Sequence, residues 1–349
     1  MKLKVLPALV IVTALLAGCA AGAADVSPNS IAASEEETST SNETQAPKVD
    51  EESIIESCDP LTSLDGPSFE LETRVDSSLP DAWAQEFEVI LSNLQTIAPI
   101  SHCIKPLEDK GFASPFQVFA WSSDVANPWP DERPGLSGAC ICGNGVDAWM
   151  ALEITADEFK YDSLHRYSVV AHEYFHLFQI SVSSDKMGNG GLPMWLVEGG
   201  AKVFEELYSQ EAYGRSEFDG GLFPVSYVVA ESPEVLETYE RDYELDINYN
   251  SAAFLVLALV DHLQQTKGIS QERALEMVLF DILTQLQVEQ DWEAAFQQVF
   301  EISVSDFYRS LEKYPVVKSP ETWYEPDVVS ALELLPSKDI ELAAVFAQK

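Results

Sequence analysis

Basic residues are scarce. The 349-residue chain has 20 Lys and Arg against 58 Asp and Glu, and its formal net charge is −38 at pH 7. A surface of that sign repels phosphate backbones and anionic headgroups, which argues against nucleic acid and anionic lipid as partners. Long apolar runs are missing too. Beyond the N-terminus no stretch reaches the roughly 18 residues that a membrane-spanning helix needs. Histidines number only five, so few positions can carry imidazole chemistry. Cysteines also number five. No second cysteine pair or histidine stands at zinc-finger spacing from Cys140-Ile141-Cys142, which argues against a structural zinc there.

The N-terminus has the pattern of a processed export signal. Lys2 and Lys4 precede an apolar run over 5–16 that is too short to span a bilayer. The run closes in Leu16-Ala17-Gly18-Cys19, which resembles the lipobox of bacterial lipoproteins. That resemblance implies a signal peptide over 1–18, cleavage before Cys19 and a lipid anchor on Cys19. The mature chain would then be exported and anchored to the bacterial cell envelope, at the outer membrane in a Gram-negative cell, since Ala20 is not the aspartate that retains such lipoproteins at the inner membrane. An ordinary secretory signal cut between 20 and 24 remains the alternative. Residues 19–57 are rich in Ser, Thr and acids and poor in large apolar residues. Such a segment cannot bury enough apolar surface to offset its ordering entropy, and it reads as a disordered tether. A globular domain is expected over 58–315, with a Pro-punctuated tail over 316–349. The cysteines left after Cys19 are Cys58, Cys103, Cys140 and Cys142. In an oxidising compartment they allow three complete disulfide pairings.

Apolar periodicity predicts strands over 116–122 and 147–154, separated by Pro- and Gly-rich turns. It then predicts helices over 162–180, 195–209, 251–265, 270–287, 291–300 and 303–314, with Ser163 and Ser270 as N-caps. Strands first and helices second imply an α+β protein with a sheet-bearing lobe followed by a mainly helical lobe.

The helix over 162–180 carries His172-Glu173-Tyr174-Phe175-His176. Residues i and i+4 share a helix face, so the two imidazoles lie one turn apart, a spacing that suits two ligands of one Zn²⁺. Glu198 follows 22 residues after His176, in Trp195-Leu196-Val197-Glu198-Gly199-Gly200-Ala201. It supplies a third protein ligand and leaves the fourth position open, as in a catalytic rather than a structural zinc site. Glu173 then stands as general base toward a metal-activated water.

H-E-x-x-H followed by W-L-x-E-G-x-A is similar to the gluzincin metallopeptidases of the aminopeptidase-N-like branch, densely over 164–202 and thinly to 314. The resemblance implies a zincin-like catalytic lobe with a mixed sheet and an active-site helix. It implies His172, His176 and Glu198 as ligands of one zinc and Glu173 as base and proton shuttle. It also implies Glu205, seven residues past Glu198, as the acid that orients a zinc histidine. Tyr249 matches the region where the family places a tyrosine that stabilises the oxyanion; Tyr243 and Tyr239 compete for that role. The family's amine-gripping G-x-M-x-N strand is missing, which weakens the case for an aminopeptidase. Lys202 stands where a thermolysin-like enzyme would have an aspartate. The metzincin pattern after His176 is not present. The reading is an exported zinc peptidase acting on a peptide or protein, touching the membrane only through its lipid anchor. The alternative is a non-catalytic surface binding lipoprotein on the same scaffold.

Overall fold

The computed structural model describes residues 69–100, 112, 115–143, 147–183, 191–220, 225–238, 249–288, 291–314, 316–317, 327–328 and 334–347. The signal segment, Cys19, the tether over 19–57, Cys58, Cys103, Tyr239 and Tyr243 lie outside the described residues.

The sheet has strands β1 (Leu71–Val75), β2 (Phe116–Ser122), β3 (Ala139–Gly143) and β4 (Ala148–Ile154) in the order β1-β2-β4-β3. β1, β2 and β4 run parallel, and β3 pairs antiparallel with β4. Helix α1 (Asp81–Ile97) makes the crossover between the parallel neighbours β1 and β2, a connection that cannot be a tight turn. A strand and a 17-residue helix thus precede the two expected strands. Trp83, Phe87, Ile90, Leu91 and Leu94 form its buried stripe.

β2 and β4 are buried on both faces, as central strands of a largely parallel sheet should be. Val118, Ala120, Met150 and Leu152 join the main core, while Phe119, Trp121, Trp149 and Ala151 form a smaller cluster with Leu136 on the other face. Cys140 and Cys142 form a disulfide within β3, so this pair closes on itself.

After β4 come the short helix α2 (Ala156–Lys160), the motif helix α3 (His165–Ser183), α4 (Met194–Tyr213) and the single turn α5 (Val228–Glu231). They are followed by α6 (Tyr249–Lys267), α7 (Gln271–Glu276), α8 (Ile282–Val288), α9 (Trp292–Phe300) and α10 (Val304–Ser310). The helix expected over 270–287 is split by a π-helical turn at Met277–Asp281. Ser270 caps α7 through Arg273 N–H, and Asp291 and Ser303 cap α9 and α10 in the same way. β5 (Val316–Val317), β6 (Asp327–Val328) and α11 (Leu342–Val345) complete the described chain. The tail docks on the helices: Phe346 packs edge-on against Phe175, Phe178 and Phe204.

One continuous apolar cluster runs from β2 and β4 through α3, α4 and α6 to α9 and α10. The sheet-bearing and helical parts therefore share a core. No described helix is long and apolar enough to cross a membrane.

Candidate metal centre

α3 and α4 lie side by side and antiparallel. Their contacts run from Tyr167 against Tyr213, through His172 against Glu205, to Gln179 against the Val197 carbonyl. This pairing joins the two halves of the sequence motif. His172 and His176 stand one turn apart on α3, and Glu198, in the second turn of α4, reaches both. Glu198 Oε2 is 3.3 Å from His172 Nε2 and 3.3 Å from His176 Nε2, and the two Nε2 atoms are 3.1 Å apart. The cluster is buried without being sealed, since the Glu198 side chain is 15% exposed.

The other ring nitrogens fix the tautomers. His172 Nδ1 is 2.8 Å from Glu205 Oε2, a carboxylate that only accepts, so Nδ1 carries the proton. His176 Nδ1 is 2.9 Å from Gln179 Oε1. The Gln179 amide nitrogen donates to the Val197 carbonyl at 3.0 Å, so its oxygen faces the ring and His176 Nδ1 is again the donor. In the neutral imidazoles both Nε2 atoms then present bare lone pairs. In that neutral state two lone pairs and a carboxylate oxygen converge, an arrangement that repels itself until positive charge, from a metal ion or from protons on the rings, is placed among them. Ligand atoms about 2.0–2.1 Å from a tetrahedral Zn²⁺ stand about 3.3 Å from one another. The observed 3.1–3.3 Å separations fit that spacing.

In the metal-free chain protons supply that charge. Burial opposes charge on His172, but the Glu205 carboxylate and hydrogen bonding to Glu198 and Glu205 outweigh it, and its pKa is pushed from 6.5 up to about 10. His176 also moves up, against burial, because Glu198 faces it. Burial resists charge on Glu198 too, yet His176 and His172 hold it well below the usual carboxylate range. Glu205 is likewise buried, and Lys202 and His172 bring it down to about 2. Glu173 moves the other way. Burial raises its pKa, and the nearby His176 and His172 offset only part of that rise.

A pH dependence follows. In the metal-free chain the raised His172 pKa contributes stability that is complete below about 6.5 and lost as pH rises through about 10. Metal ligation needs the neutral ring, so a zinc ion bound there would displace protons, and its binding would strengthen over the same interval. Thermal denaturation of the chelator-treated chain should show stability falling more steeply from pH 6.5 to pH 10 than in a His172→Gln variant. Equal slopes would contradict the assigned cause.

Glycine sets the third wall. A Cβ on Gly199 would lie 2.3 Å from the Ala252 carbonyl oxygen, so only glycine permits this approach of α4 to α6. That approach brings Tyr249, the first residue of α6, edge-on to His172 with ring centroids 5.5 Å apart. A Cβ on Gly200 would crowd Gln179 Nε2 at 3.3 Å, the amide that orients His176. Gly199→Ala should destabilise the metal-free fold by about 2–3 kcal/mol, the cost of an overpacked helix contact. Denaturation with chelator present measures it, and an unshifted midpoint would mean that α4 and α6 are not held this close.

The structure thus brings together His172, His176, Glu198 and Glu205, with Tyr249 beside them and Glu173 on the same helix. Two participants were missed by the sequence reading. Gln179 stands three residues after His176, on the same helical face, and that spacing is its signal. Lys202, which in sequence marks only a departure from another enzyme type, is the second. Its ammonium donates to Glu205 Oε1, to Glu206 Oε1 at 2.7 Å and to Glu217 Oε2 at 2.8 Å. A search of protein-family models, curated proteins and solved structures found no match to this chain.

Proposed function

We propose that the protein is a zinc-dependent peptidase whose metal ligands are His172, His176 and Glu198. The observation that carries the reading is the convergence of two imidazole Nε2 atoms and one carboxylate oxygen within 3.1–3.3 Å. Zn²⁺ bound there supplies Lewis-acid activation of water and of a carbonyl. Glu173 accepts the proton of the attacking water and returns it to the leaving nitrogen. Burial raises its pKa, which favours its holding and returning that proton. Glu205 and Gln179 hold the two imidazoles in the tautomer that leaves Nε2 bare. Tyr249 is the candidate donor to the oxyanion, from its place beside His172.

The finer fold reading belongs to the same proposal: a zincin-like arrangement with α3 as the active-site helix. β3 lies at one edge of the described sheet and contacts α3, and an extended peptide is proposed to add to that edge. Without the amine-gripping strand, the enzyme is proposed not to be an aminopeptidase. The lipobox-like Leu16-Ala17-Gly18-Cys19 supports an exported, lipid-anchored protein whose acidic tether spaces the domain from the membrane.

The test is hydrolysis of an unfolded protein such as reduced, alkylated casein. Cleavage should vanish with chelator, return with zinc and proceed on peptides with blocked N-termini. A zinc-loaded chain that cleaves nothing would favour the binding-lipoprotein alternative.

A further inference from the structure

Lys202 stands four residues after Glu198 on α4, and Glu205 and Glu206 follow it by three and four, so all share one helical face. The lysine side chain is 8% exposed, and each of its three N–H donors has a carboxylate partner: Glu205, Glu206 and Glu217. Glu206 is equally fixed. Besides Lys202 it accepts from Ser216 Oγ at 2.5 Å and from the Glu217 backbone N–H at 2.7 Å. The ammonium is therefore held in one position by three acids from α4 and the turn that follows it. Glu205 divides its carboxylate between two donors, taking Lys202 on Oε1 and the His172 ring on Oε2. With both oxygens engaged, the carboxylate cannot rotate away from the ring.

We propose that Lys202 is a positioning residue for the metal centre. It fixes the Glu205 carboxylate and balances its charge, and Glu205 in turn sets the angle and tautomer of His172. The proposal rests on the metal reading above. Lys202 itself touches neither metal nor substrate. An ion pair serving stability alone would leave the geometry at His172 unchanged when removed; a positioning residue would not.

The experiment uses zinc titration against a chromogenic chelator, together with the visible absorption of the Co²⁺-substituted chain, which reports ligand geometry. Lys202→Met should weaken zinc binding by about tenfold or more, the scale of losing an outer partner of a ligating histidine. It should also change the Co²⁺ spectrum, and Lys202→Arg should restore part of both. Removing a buried ammonium can itself prevent folding. The double variant Lys202→Met, Glu206→Gln removes a buried acid along with the lysine and still leaves Glu205 without its ammonium; the same loss is expected there. A folded variant with wild-type zinc affinity and wild-type Co²⁺ spectrum overturns the role of Lys202 and leaves the metal site standing. A wild-type chain that takes up neither metal overturns both.

Discussion

Glu173→Gln is expected to keep the proposed zinc and to lower peptide hydrolysis by about 10²- to 10⁴-fold, the usual contribution of a positioned general base. Glutamine preserves the shape and hydrogen-bonding reach of the side chain but cannot take up the water's proton. The variant also separates catalysis from folding. Burial raises the Glu173 pKa, so its ionised form is penalised in the folded chain. At a pH above the unfolded-state value this carboxylate costs stability. The neutral amide removes that cost, and Glu173→Gln should melt at the wild-type temperature or above it. Lost turnover with undiminished stability is the pattern of a residue kept for chemistry. Full activity in the zinc-loaded variant would remove Glu173 from the mechanism.

Glu198→Ala should act on the proposed metal instead. Apparent zinc-binding free energies of about 10–16 kcal/mol for four-ligand sites correspond to about 2.5–4 kcal/mol per ligand, or roughly 10²- to 10³-fold in affinity. Two imidazoles alone should lose the ion to a weak chelator. The variant also removes the carboxylate that faces both Nε2 atoms and favours their protonation. Its histidines should therefore titrate at lower pH than in the metal-free wild type, which NMR of the ring protons would measure. Unchanged zinc affinity would take Glu198 out of the ligand set.

Much of this centre was legible in the sequence because helical spacing maps directly onto space. His172 and His176 share a face by their separation of four, and Glu205 lies on the face of Glu198 by its separation of seven. The strand at Phe116–Ser122 and the cap at Ser270 were readable for the same reason, since each follows from local pattern alone. Elements set by tertiary contact were not. β3 is five residues with two cysteines and a terminal glycine, and nothing in that string signals an edge strand. The need for glycine at 199 is visible only once the Ala252 backbone is seen against it. Helix α1 is the exception, since its buried stripe of Trp83, Phe87, Ile90, Leu91 and Leu94 has helical spacing in the sequence itself. Lys202 shows how a local rule misleads. Matched against another enzyme's aspartate it counts as a defect, whereas in three dimensions its charge sits among three acids and braces one of them against His172.

The most direct measurement is metal content by elemental analysis of the purified chain and of its Glu198→Ala and Glu173→Gln variants, each dialysed against the same weak chelator. One zinc per chain is expected in the wild type and in Glu173→Gln, and none in Glu198→Ala. A wild-type chain that emerges without metal would contradict a metal centre at His172, His176 and Glu198.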